Sequence, residues 1–359
     1  MNQNNEYQNY GYNSDTDFYT MYTDSKVKEA RGVFSRYNLA LFLYTAVAYA
    51  VIIVTELLLI AFMGIEKTSS LIDGNIYLQW LFGVGPMYLI GFPVFFMIIK
   101  GMKTLKREKT KMPISEFLIL FVMCQGIMFV GNIIGQSLNS LISAFLKKEV
   151  VNGTNELIEN SPVWLIILIA VIIGPVIEEL LFRKFMIDRL GRYGDAVAIT
   201  VSAVAFGLFH GNFYQFFYAA MLGFMLGYIY VKTGDVRYSI AMHVLLNFFG
   251  SVATMPIINA AEKLEEMSTA IQEGAAMNVP ELIKSAMLVG SYTVIEYAMV
   301  ITGIALAVSY FVNKKFKLTG VCEYKIPRER VAGAVILNTG TILFLLLSLV
   351  LFAVNIFLV

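Results

Sequence analysis

Charge is the first thing this chain is short of. Only 15% of its 359 residues are Asp, Glu, Lys or Arg, against about 25% in ordinary soluble domains. With 58% apolar residues and a mean hydropathy of +0.68, the deficit excludes a water-soluble globular domain. Cysteine is scarce too. Cys124 and Cys322 have neither metal spacing nor the density of a disulfide framework. The alternating ten-residue segments of a transmembrane β-barrel are missing. No apolar run begins before Leu39, too far in for a cleavable signal peptide. The net charge of +1 points to no partner, and none of nucleic acid is expected.

What is present is a series of apolar runs of about 20 residues, each long enough to cross a bilayer as a helix. Backbone groups in hydrocarbon need internal partners, which makes helices the default. The expected fold is all-α, a polytopic transmembrane bundle of eight or nine spans. The nine candidates are Leu39–Met63, Ile76–Ile99, Ile114–Leu146, Val163–Phe182, Ala196–Phe209, Phe213–Val231, Tyr238–Met255, Ala286–Val312 and Val331–Val359. The third is overlong and marked by Gly, Ser, Asn and Gln, which suggests tilt or a kink.

Five organisational units are expected. A polar arm over 1–36, rich in Asn, Tyr and Asp near its start, has too little aliphatic content to fold alone and is expected to be disordered. N-terminal spans occupy 37–162, then a central segment 163–255. An acidic loop covers 256–285, and C-terminal spans cover 286–359. Lys and Arg cluster at 26–36, 100–111, 183–192, 232–237 and 314–330. If every span crosses once, all five clusters share one side. The positive-inside rule makes that side, and the N-terminus, cytoplasmic. The expected location is a membrane, the cell membrane in a bacterial source.

Ionisable residues inside spans are costly and are functional by default. They include Glu178 and Glu179 with Arg183 at the edge of the fourth span, His210, His243 and Glu296. Both histidines of the chain are in this set. Glu179 and Arg183 are spaced i,i+4, as are Phe206 and His210, and His243 and Asn247. Adjacent glutamates point about 100° apart on a helix, so one faces a cavity and the other faces Arg183. Spacing leaves open which is which. A carboxylate in a semi-dry pocket can take a proton from water, and a His and an Asn one turn apart can donate to an oxyanion. Together these residues suit amide hydrolysis by an activated water. Each piece alone also has a plain structural reading: an interfacial helix end, a helix cap, or interhelical glue. Glu296 reads as packing.

The stretches EELLFR, FGLFH and HVLLN fill, in order, the motifs EExxxR, FxxxH and HxxxN. The segment from about Val163 to Phe249 thereby resembles the CPBP intramembrane proteases, which include type II CAAX prenyl endopeptidases and Abi-type proteins. The resemblance implies roles. Glu178 would be the general base, Glu179 would assist it or serve with Arg183, His210 would hold the water, and His243 and Asn247 would stabilise the oxyanion. Phe206 would support the site. The cofactor is either none or one divalent metal such as zinc, with Glu178, His210 and His243 as candidate ligands. HExxH is absent. The implied substrate is a peptide or protein, prenylated or not, at the lipid bilayer. The alternatives are a non-enzymatic immunity or scaffold protein on the same fold, and a proton-coupled transporter.

One difficulty arises from the span edges. Straight helices would leave His210 nearer the outer face, away from Glu178 and His243. A shared site requires the fourth span to continue past Arg183, or the fifth to start deeper or tilt. A short or broken helix at His210 and Gly211 would also help.

Overall fold

A computed structural model describes residues 14–150, 157–273, 278–318 and 320–357. Among the described residues, eight helices are long and apolar enough to cross a membrane. The protein is an integral membrane protein with a polytopic helical fold. The elements are α1 (Ser14–Met63), α2 (Ile65–Asp73), α3 (Ile76–Ile99), α4 (Ile114–Leu146) and α5 (Val163–Tyr193). They continue with α6 (Asp195–Phe209), α7 (Phe213–Thr233), α8 (Val236–Gln272), α9 (Val279–Val312), α10 (Arg328–Val335) and α11 (Thr339–Phe357). α6 is apolar but only 15 residues long, about 22 Å at 1.5 Å per residue.

The five basic segments do gather at one end. Arg192 pairs with Glu29 of α1 and with Glu323. Arg330 meets Asp24. The segment 100–113 is a strap across the helix tips. Leu105 N–H donates to Asp188 O and Thr110 N–H to Thr233 O. Arg107, nearly buried, pairs with Asp195 at 2.7 Å and lies 3.7 Å from Asp188. Gly234 (φ +63) closes the α7–α8 turn against this strap, where an added Cβ would stand 2.2 Å from Glu108 O.

Several expected boundaries change. The arm expected to be disordered over 1–36 is helical from Ser14, and α1 runs unbroken through Arg36. Composition missed this because the helix gains its burial from elsewhere. Ala30 and Phe34 are fully buried in the core that α1 shares with α5 and α6. The first thirteen residues of that arm lie outside the described residues. The fourth span does not end at Phe182 but continues to Tyr193. The acidic loop expected over 256–285 is helical at both ends. α8 reaches Gln272 and α9 starts at Val279, linked by Lys263 and Glu281 at 3.1 Å, and 274–277 lie outside the described residues. The last expected span is broken at 336–338 between α10 and α11, where the Asn338 amide donates to Ala334 O and Val335 O.

The overlong third span is one 33-residue helix, α4. Its glycines are contact points. An added Cβ at Gly126 would meet the α9 backbone at 2.5 Å, and at Gly131 the α7 backbone at 2.6 Å. Small residues at such positions let apolar helices approach closely where the hydrophobic effect cannot drive association.

Candidate active site

α5 carries the paired glutamates, and its backbone is unusual on both sides of them. Wide π-helical turns occupy Ile167–Ile173 and Glu179–Ile187. The first has a covalent cause. Pro175 has no N–H, so an ordinary i→i−4 bond is missing there, and Gly174 N–H bonds back to Ile169 O. In the second, side chains satisfy the backbone. Tyr37 O–H of α1 donates to Leu181 O, and Ser202 O–H of α6 donates to Phe182 O at 2.7 Å. π turns recur at functional sites because they re-aim side chains.

That re-aiming gives the two carboxylates different surroundings. Glu179 is fully buried, with Oε1 3.1 Å from Arg183 Nη1 and 3.1 Å from His243 Nδ1. Arg183 is also fully buried, and its guanidinium lies over the Phe206 ring at 4.4 Å. Glu178 keeps a side-chain exposure of 20% and presents Oε2 3.6 Å from His243 Nε2. His243 thus stands between the two carboxylates. The 3.6 Å gap is too long for a direct hydrogen bond.

The extension of α5 solves the depth problem. Glu178 lies fifteen residues before Tyr193, and His210 lies fifteen after Asp195. The α5–α6 hairpin turns at Gly194 (φ +121), so the two residues come to about the same level. Ring contacts link the same residues: Phe182 and Phe206 meet at 5.3 Å, and Phe206 touches His210 at 4.9 Å and His243 at 5.6 Å. The helix break expected at His210 and Gly211 is present. Gly211 (φ +67) turns the chain under Leu351 of α11, and Asn212 caps α7 by accepting from Gln215 N–H at 2.9 Å.

His210 Nδ1 lies 2.8 Å from Phe206 O. A carbonyl only accepts, so Nδ1 carries the proton and the neutral ring presents the Nε2 lone pair. His210 interacts electrostatically with Glu178, His243 and Arg183. Asn247, one turn beyond His243, donates from Nδ2 to Ala170 O at 2.9 Å. One of its amide hydrogens is therefore tied to α5. Glu296 lies on α9, outside this group. Among the described residues no three His, Cys, Asp or Glu side chains stand close enough to ligate one ion. The candidate zinc set of Glu178, His210 and His243 is not assembled as a ligand set here.

Spacing did not reveal the phenols. Among them, Tyr88 of α3 brings its hydroxyl to α5 one turn before Glu178, where a Cβ added at Gly174 would stand 3.4 Å from it. Nothing in the sequence marks Tyr88 among its 20 tyrosines.

The fold and this site define a class: polytopic helical membrane proteins with a carboxylate–imidazole cluster inside the bundle. Residues 160–249, about a quarter of the chain, match the family described as type II CAAX prenyl endopeptidase Rce1-like. This segment is similar to that family. A Bacillus subtilis (strain 168) protein named "Putative membrane peptidase YdiL" is 29% identical over 109 residues, which are 30% of this chain and 44% of that protein. The chain therefore matches less than half the length of that relative. No solved structure matches.

Proposed function

We propose that this protein is an intramembrane endopeptidase of the CAAX type, hydrolysing a peptide bond with a water activated by Glu178 and His210. The observation that carries it is the unequal pair. Glu178 keeps an open side beside two imidazoles, while Glu179 is buried against Arg183 and His243. A purely structural pair would have no need to leave one carboxylate partly open.

The chemistry uses each group in turn. Glu178 takes one proton from the water, and His210 Nε2 accepts the water's other hydrogen, which orients the oxygen. That oxygen bonds to the scissile carbonyl carbon, and the carbonyl π pair moves onto oxygen. Collapse breaks the C–N bond, and Glu178 returns its proton to the leaving amine. His243, held by Glu179, keeps Glu178 in place from the other side. The remaining N–H of Asn247 can donate to the oxyanion. No step is routed through a metal.

The substrate would be a peptide or protein reaching the site from the bilayer or from its basic edge, with prenylated, leader-peptide and bacteriocin-precursor types all fitting. We further propose a cytoplasmic placement for the basic end. The test is to map N-terminal peptides in membranes from cells with the wild-type chain or with Glu178→Ala. At least one new N-terminus should vanish in the variant while an uncleaved precursor accumulates. Identical peptide maps, with the variant inserted at normal levels, would sink the peptidase reading and favour a scaffold.

A further inference from the structure

Polar contacts join α5 and α8 at two levels. At the first, His243 stands between Glu178 and Glu179, at 3.6 Å and 3.1 Å. At the second, one turn further along α8, Asn247 Nδ2 donates to Ala170 O at 2.9 Å. On the peptidase reading, we propose that Asn247 is a positioning residue. Its amide replaces the backbone donor that Pro175 lacks, and so holds the wide turn of α5, and Glu178 beyond it, in register with His243.

The need arises in the backbone of α5. Through the wide turn Ile167–Ile173 the N–H groups reach five residues back, and Gly174 N–H ends the run on Ile169 O. In an ordinary helix Gly174 would donate to Ala170 O, four residues back. Here it is committed to Ile169. The next donor in the wide register is residue 175, and Pro175 has no N–H. Ala170 O therefore loses both of its regular donors. Inside a membrane bundle neither lipid nor bulk water can replace them, so the partner must come from the protein. Asn247 supplies it from the neighbouring helix. A carbonyl only accepts, so the amide nitrogen of Asn247, and not its oxygen, faces Ala170.

The contact does more than satisfy a carbonyl. α5 and α8 run antiparallel here. Ala170 meets Asn247, while Glu178 and Glu179, eight and nine residues later on α5, meet His243, four residues earlier on α8. One joint would let α8 swivel on α5. Two joints a helical turn apart fix both its rotation and its rise. What they fix is the spacing of Glu178 Oε2 from His243 Nε2. A misplacement of about 1 Å at a reacting group costs on the order of 10²-fold in rate. The tie uses one amide hydrogen of Asn247 and leaves the other, so the same side chain can hold the helix and still donate to substrate.

The experiment uses the purified full-length chain in lipid nanodiscs, as wild type, Glu178→Gln, Asn247→Ala, Pro175→Ala and the double variant Pro175→Ala with Asn247→Ala. The probe is a synthetic peptide spanning a cleavage that disappears from membranes carrying Glu178→Gln. Alanine at 175 restores the backbone N–H that Asn247 replaces. Asn247→Ala should lower kcat about 10²-fold and the thermal midpoint by about 2 °C. Pro175→Ala should cost less in both, because the Asn247 tie still holds the turn. In the double variant the midpoint should recover and kcat should rise about tenfold over Asn247→Ala, a coupling that independent sites do not show. The rise stops short of wild type because the second amide hydrogen is still missing. No recovery of the midpoint would overturn the tie. Recovery of the midpoint without a rise in kcat would overturn the positioning role. Either result leaves the peptidase reading standing. If no cleavage depends on Glu178, the peptidase reading fails, and the positioning role fails with it.

Discussion

Glu178 and Glu179 are one residue apart and chemically alike, yet the fold treats them in opposite ways. Glu179 is one centre of a buried triad with Arg183 and His243, floored by Phe206. Removing one partner of a buried pair costs about 3–5 kcal/mol because the other charge is left uncompensated. Glu179→Gln should therefore lower the thermal midpoint in detergent markedly. Glu178→Gln, at a partly open carboxylate, should leave that midpoint nearly unchanged. Equal losses in a thermal-unfolding assay would contradict the division of roles. Asp235 offers a second test at this scale. It caps α8 by accepting from Arg237 N–H at 3.1 Å. The hydrogen bond from the Arg237 side chain pulls its carboxyl down to about 2, below the usual value of about 3.9. A lowered folded pKa gives stability that is present above about pH 4 and is lost as pH falls toward 2. Asp235→Asn should flatten that acid limb in a stability-versus-pH series. Because Arg237 is 80% exposed, salt should shrink the effect.

At the scale of elements, the helices do two jobs that their hydropathy does not show. Glycines set how closely they pack. A Cβ at Gly303 of α9 would stand 2.1 Å from Val122 O of α4. Gly303→Ala should force the helices apart and cost about 1–3 kcal/mol, as overpacking does, measurable as a lower unfolding temperature. A normal midpoint in that variant would show that α4 and α9 adjust freely. The π turns are the other device. Each proline-linked turn adds a residue to a helical turn and rotates the side chains beyond it. In α5 this decides which glutamate stays open, and in α3 it places Tyr88. Gly-Pro at 174–175 and Pro93 were visible in the sequence. Their consequence was not, because a proline in a membrane helix can equally give a kink, and neighbours supply the donors that select a π turn. The second π turn of α5, Glu179–Ile187, has no proline, and its carbonyls are served by Tyr37 and Ser202, 144 and 20 residues away.

For the whole molecule, the basic clusters form one packed end, and the strap 100–113 ties α5, α6 and α7 together through Arg107, Leu105 and Thr110. The two native thiols test its proposed orientation. Cys322 is half-buried in the segment beside Arg192, and Cys124 is buried inside α4. A membrane-impermeant maleimide should label Cys322 in inside-out vesicles and not in intact cells, with Cys124 unlabelled in both. Labelling of Cys322 in intact cells would reverse the orientation. The sequence by itself determined the class, since low charge and repeated apolar runs admit only a helical membrane bundle. It also put Glu179 with Arg183 and His243 with Asn247 on shared helix faces, since these are local spacings on single helices. Only the tertiary structure decided the rest. It decided that α5 runs past Arg183 to bring Glu178 level with His210, that the polar arm is helical from Ser14, and that Glu178 is the open carboxylate. The physical reason is range. Periodicity reports which side chains share a face of one helix. Depth, wide turns and convergence of separate helices are set by packing partners far away along the chain.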